Sequence, residues 1–154
     1  MKDSAKVIED LNKVLKNELG AINQYVLHTC MLESGGINTP GQYECGASSI
    51  DEMKHADQLI QRTLDLEGLP NSQDLGKLYT GENVDEIFRG DLKLEHAAHP
   101  PYHEAAAYCE NCGDTVTRDP LASIFANEET HIGWLETQPG LIGRSLPVYL
   151  QAQL

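Results

Sequence analysis

Apolar side chains recur at gaps of three and four along most of this chain, the spacing of an α-helix with one buried face. The longest such stripe runs Ile8, Leu11, Leu15, Glu18, Ile22, Tyr25, Thr29, Leu32. It predicts a first helix from an N-cap at Ser4 to about residue 33. A second helix is predicted from about Ser48 to Glu67. It carries two stripes, one of Ser48, Glu52, His55, Leu59 and Leu66 and one of Ile50, Met53, Ile60 and Leu64. Two buried faces on one helix point to contacts within its own bundle and with a second subunit. A third helix starts near Asn83, with Val84, Phe88, Leu92 and Glu95 inward. It is expected to kink at Pro100-Pro101 and to resume over Tyr102–Cys112. The fourth stripe is Leu121, Ile124, Phe125, Glu128, His131, Ile132 and Leu135. Its helix starts at Asp119-Pro120 or earlier, near Asp114, and is expected to stop at Pro139-Gly140. Ser145 would cap a short final helix reaching Leu154.

The links are equally informative. Residues 34–46 (SGGINTPGQYECG) are rich in glycine and read as a turn or an irregular helix start. Gly68-Leu69-Pro70-Asn71 ends the second helix, and few helical signals follow until about Glu82. A link that long is unusual in a compact domain. In a helical bundle with one crossover it lets the third helix run parallel to the second. The fold class is therefore all-α: a four-helix bundle with one long crossover and a short fifth C-terminal helix, in a single domain over 1–154.

Composition narrows the partners. The chain has 154 residues, 40% hydrophobic and 23% charged, as a globular protein does. Its net charge of −13, from 11 basic and 24 acidic residues, argues against nucleic acid or an anionic membrane as partner, since both attract basic surfaces. There is no apolar signal core and no long apolar run. The four cysteines (Cys30, Cys45, Cys109, Cys112) are too few for a disulfide scaffold, and a cytoplasmic chain with reduced thiols is expected.

The chemistry lies where polar residues interrupt the stripes. Glu-x-x-His occurs twice, as Glu52-Met53-Lys54-His55 and as Glu128-Glu129-Thr130-His131. Residues three apart share a helix face, so each pair can grip one ion from one side. Glu18 and Glu95 stand where apolar residues are expected. Glu18 precedes Glu52 by 34 residues and Glu95 precedes Glu128 by 33, so the two halves echo one another. A carboxylate alone in an apolar core costs several kcal/mol or stays protonated. Four carboxylates with two neutral imidazoles carry −4, which two divalent cations balance. Oxygen-rich ligation with one imidazole per ion suits iron or manganese better than structural zinc.

This ligand set is the known one of ferritin-like di-iron proteins, so the match is a resemblance and not a separate derivation. The chain resembles bacterioferritin over nearly its whole length, through VIEDLNKVLKNELGAINQY (7–25), SIDEMKHAD (49–57), LEGLPNSQDLGKLYTGE (66–82), EETHIGWLE (128–136) and YLQAQL (149–154). The resemblance implies a ferritin-like bundle assembled from twofold dimers into a hollow 24-subunit cage. It also implies a ferroxidase that oxidises Fe(II) with oxygen or hydrogen peroxide and stores the mineral inside, with a ferredoxin-type reductant for iron release. Carried across, Glu52 and Glu128 bridge two irons per subunit. Glu18 and His55 complete one iron's shell, Glu95 and His131 the other's, and Tyr25 lies close by. Met53, one from each of two subunits, would ligate a shared haem b, with Leu19, Ile22, Asn23 and Ile50 lining its pocket.

The chain departs from that family at several points. Val26 and Gly46 stand where aromatic residues usually line the haem pocket. Ala47 stands where a histidine often helps bind iron at the inner surface, although Asp51 remains. Slower mineralisation with intact first-step oxidation is the expectation. Cys109-x-x-Cys112 reads as ordinary helical cysteines, and His96, His99 and His103 as surface residues. Two other readings compete: a rubrerythrin-like peroxide reductase or small di-iron oxygenase of the same fold, and a passive divalent-metal buffer or acidic assembly protein.

Overall fold

The computed structural model describes residues 2–43 and 48–153, and the expectations attached to Gly46 and Ala47 lie outside them. Among the described residues all regular structure is helical: α1 (Lys2–Ser34), α2 (Asn38–Tyr43), α3 (Ile50–Asp65), α4 (Val84–Cys112), α5 (Thr115–Arg144) and α6 (Leu146–Ala152). None of these helices is long and apolar enough to cross a membrane.

The long helices α1, α3, α5 and α4 close a four-sided bundle, each touching two neighbours; α3 and α4 lie across the diagonal. One core layer gathers Val7, Leu11, Val14, Leu15, Leu59, Tyr102, Ala105, Leu121 and Ile124. A second, at the other end, joins Leu32, Ile87, Phe88, Leu135, Ile142 and Tyr149. The α1 stripe begins on Val7; Ile8 is only half-buried.

The crossover (66–83) runs along α1 in step with it. Asn12 holds the Leu69 carbonyl at 3.2 Å and the Asn71 amide at 2.7 Å. Lys16 pairs with Asp74 at 3.0 Å. The Tyr79 amide donates to Gln24 at 2.7 Å and the Gly81 amide to His28 Nε2 at 3.2 Å. The chain thus leaves the end of α3 beside the start of α1 and enters α4 beside the end of α1. Both α3 and α4 run antiparallel to α1, hence parallel to each other, as the crossover reading requires. Gly90 permits the close approach at the far end: a Cβ there would meet the Tyr79 carbonyl oxygen at 2.2 Å.

Helix ends follow local chemistry. Asn83 caps α4 by accepting from the Glu86 amide at 3.1 Å. Gly113, at φ 78, closes α4, with the Asp114 amide donating back to the Cys109 carbonyl at 2.9 Å. Asp114, and not Asp119, then caps α5 through the Thr117 amide at 3.0 Å. Asp119-Pro120 lies inside the helix.

Two expectations need correction. Pro139-Gly140 does not end α5, which continues to Arg144. Proline removes one backbone hydrogen bond, but burial of Ile142 and the 2.9 Å bond from the Tyr149 hydroxyl to Gln138 hold the last turns. Pro100 and Pro101 likewise sit within an unbroken α4, flanked by buried Ala98, Tyr102 and Ala105. The glycine-rich link contains the short helix α2, tied to α6 through Thr39 Oγ1 and the Gln153 carbonyl at 3.2 Å.

Candidate metal centre

Each long helix delivers its share to one place between the two core layers. Glu18 comes from α1, Glu52 and His55 from α3, Glu95 from α4, Glu128 and His131 from α5, all buried. Their ligand atoms form two overlapping groups, Glu18, Glu52, His55, Glu128 and Glu52, Glu95, Glu128, His131. Glu52 and Glu128 belong to both.

The oxygens show how the sharing works. Glu52 turns Oε2 toward His55 Nδ1 (3.3 Å) and Oε1 toward His131 Nδ1 (3.2 Å). Glu128 does the same, with Oε1 3.0 Å from His55 Nδ1 and Oε2 3.8 Å from His131 Nδ1. Each of these carboxylates therefore faces two half-sites, one oxygen to each. Glu18 Oε2 lies 3.2 Å from His55 Nδ1, and Glu95 Oε1 3.8 Å from His131 Nδ1. Closeness is not the same as bonding. Glu52 Oε1, Glu128 Oε1 and His131 Nδ1 are buried with no hydrogen-bond partner. Buried lone pairs that converge without bonding one another fit cations placed between them.

Protons stand in for those cations. Burial and the Glu52 charge push the Glu18 carboxyl well above its ordinary range. Burial and the Glu95 charge push Glu128 up to about 9. Burial alone would lower His55, but the facing Glu128, Glu18 and Glu52 carboxylates outweigh it and push it up to about 12. His131 likewise rises to about 10, against burial, through Glu52 and Glu95. Glu95 stays charged: burial opposes it, but His131, Glu128 and Tyr25 hold its carboxyl below the usual range.

Two tyrosines flank the centre. The Tyr25 hydroxyl donates to Glu95 Oε1 and the Tyr102 hydroxyl to Glu18 Oε1, both tyrosines fully buried. Each tyrosine lies seven residues beyond the glutamate of its own helix (18 and 25; 95 and 102) yet bonds the glutamate of the neighbouring helix. Pro100-Pro101 interrupts the stripe that would carry Tyr102, so its spacing from Glu95 is the one signal the sequence holds for it. Asn127 is likewise unforeseen. Its amide lies 3.3 Å from His55 Nε2, and once Nδ1 is a ligand this contact must present the amide oxygen to the Nε2 hydrogen. A third unforeseen group is Gln24, His28 and Asp91. Gln24 and His28 Nδ1 both reach Asp91 Oδ1 at 2.7 Å, and the Gly81 amide on Nε2 fixes the proton on Nδ1.

The chain is similar to known proteins over most of its length. Residues 8–145 match the Ferritin-like domain family. The chain is 43% identical to a bacterioferritin of Brucella melitensis over 94% of its own length and 89% of the relative's. It is 44% identical to one of Rhodobacter capsulatus (96% and 91%) and 38% to one of Mycobacterium leprae (94% and 90%). The chain belongs to the bacterioferritin family. Among its predicted haem-site residues, Met53 and Ile50 are 47% and 44% exposed on α3, Leu19 and Ile22 are half-buried on α1, and Asn23 is exposed, donating to the Leu19 carbonyl at 2.7 Å. Leu19 and Ile22 also pack against the first core layer. Val26 is exposed on α1 as well. Asp51 pairs with Lys54 at 2.7 Å. His96 and His103 are exposed, and the His99 ring packs tilted against Phe125, centroids 4.3 Å apart. Cys30, Cys109 and Cys112 are free thiols, and burial pushes Cys109 up to about 11, so it is no nucleophile near neutrality.

Proposed function

We propose that this chain is a ferroxidase and iron-storage subunit working in the cytoplasm. The observation that carries the reading is the pair of ligand groups sharing Glu52 and Glu128, each carboxylate with one oxygen toward each half-site. Two ferrous ions side by side can give two electrons to one oxidant, oxygen or hydrogen peroxide. The protein's part is to hold them. Glu18 and His55 would complete one shell, Glu95 and His131 the other, and both histidines must be deprotonated at Nδ1 to serve. Tyr25 and Tyr102 keep the terminal carboxylates turned inward. The stored product would lie within a 24-subunit cage built from twofold dimers, emptied by a ferredoxin-type reductant.

Haem b is proposed for the outer face, through Met53 of each of two subunits. Apolar exposure at Ile50, Met53 and Val26 supports that reading, since it suits a flat apolar group and a second copy of the chain.

The test is aerobic addition of Fe(II) to the purified metal-free protein. Rapid oxidation is expected, slowed at least about a hundredfold by Glu18→Ala or His131→Ala, since each removes a ligand outright. Unchanged rates in both variants would remove the assignment.

A further inference from the structure

The two halves of the centre are not equally prepared. This point rests on the two-metal reading above and concerns the order in which the halves fill. Bonds of about 2.1 Å to nitrogen or oxygen put neighbouring ligand atoms about 3.0 Å apart at right angles and about 3.4 Å apart in a tetrahedron. Around His55 Nδ1 the carboxylate oxygens already lie at such edges: 3.0 Å to Glu128, 3.2 Å to Glu18 and 3.3 Å to Glu52. Around His131 Nδ1 only Glu52 does, at 3.2 Å; Glu95 and Glu128 stand off at 3.8 Å.

The tyrosines sharpen the difference. Tyr102 takes Oε1 of Glu18 and leaves Oε2 facing His55. Tyr25 takes Oε1 of Glu95, the same oxygen that faces His131. The first half therefore has a carboxylate clamped by one oxygen and open at the other. The second has its metal-facing oxygen already engaged, and Glu95 must turn or share it on loading. A site that needs no rearrangement binds more tightly than one that does.

We propose that the Glu18–His55 half fills first, and that Tyr102 is the positioning residue that pre-sets it. Tyr25, by contrast, sits on the half that must reorganise, so its loss bears on the second ion. Tyr102 does this from α4 across to α1, tying two helices together at the ligand itself.

The test uses Co(II), which reports its own coordination by visible absorption and is not oxidised on the timescale of a titration. Metal-free protein should take up two Co(II) per chain in two steps separated by about tenfold or more. Tyr102→Phe should weaken the first step by about tenfold, the size of a lost hydrogen bond to a charged group, with the second little changed. Tyr25→Phe should spare the first step. His131→Ala should keep the tight step and His55→Ala should lose it. A crystal loaded with one Co(II) per chain gives a check that needs no variant, because its anomalous peak should lie between Glu18 and His55. A peak between Glu95 and His131, or a tight step that survives in His55→Ala, overturns the order. Uptake of fewer than two Co(II) per chain overturns the two-metal reading itself.

Discussion

A charged residue on an otherwise apolar helical stripe was the signal that exposed Glu18, Glu52, Glu95 and Glu128, and the structure brings all four to one buried place. Their protonation gives a prediction with a definite sign. His55, His131 and Glu128 have folded pKa values of about 12, 10 and 9, above their ordinary values of 6.5, 6.5 and 4.5. Groups raised on folding stabilise the protein fully below their unfolded pKa, and that stabilisation fades as pH rises through the folded one. The metal-free protein should therefore lose Tm as pH climbs from about 5 to about 12. Divalent cations must displace these same protons, so metal affinity should move the other way. Co(II) binding should tighten by at least about tenfold per pH unit between about pH 6 and pH 8, and release protons measurably into weak buffer.

At the scale of elements, the crossover and the ends of the helices decide whether the six residues meet. The crossover lies against Gly90 so closely that Gly90→Ala would drive a methyl group into the Tyr79 carbonyl. We expect a loss of about 1–3 kcal/mol in denaturant unfolding, the usual cost of an overfilled contact. Because the Gln24–His28–Asp91 group joins the crossover to α1 and α4 one turn from Glu95, metal affinity should fall as well. The end of α3 offers the opposite case. Glu67 adopts φ 60, a left-handed conformation where glycine is usual, with the Gly68 amide donating to the Thr63 carbonyl at 2.9 Å. Glu67→Gly should raise stability by about 1 kcal/mol, read as a higher Tm with unchanged metal uptake.

For the molecule as a whole, the surface points to other copies of itself. Three of the four residues in the second stripe of α3, which the sequence placed at a subunit contact, are open: Ile50, Met53 and Leu64 are 44%, 47% and 49% exposed, while Ile60 packs on the core. Apolar side chains lined up on a helix face are a docking surface in want of a partner. Ile50→Glu should therefore leave a folded chain that sediments as a smaller species than the parent, since burying an unpaired carboxylate in a contact costs several kcal/mol. The same variant should retain a two-metal centre, because Ile50 lies on the far side of α3 from Glu52 and His55.

Taken alone, the sequence determined the four long helices, the crossover and the positions where Glu and His interrupt apolar stripes. Each of these is a local regularity: a repeat of three and four, a charge on an apolar face, a glycine at a helix end. What only the tertiary structure decided is non-local. Pro139-Gly140 reads as a stop until Ile142 and Tyr149 are seen to hold the turn beyond it. Tyr102 and Asn127 carry no pattern that names Glu18 and His55 as their partners, since those contacts join α4 to α1 and α5 to α3. The inequality of the two half-sites is of the same kind. It depends on which oxygen of each glutamate a tyrosine from another helix takes, and only the folded arrangement sets that choice.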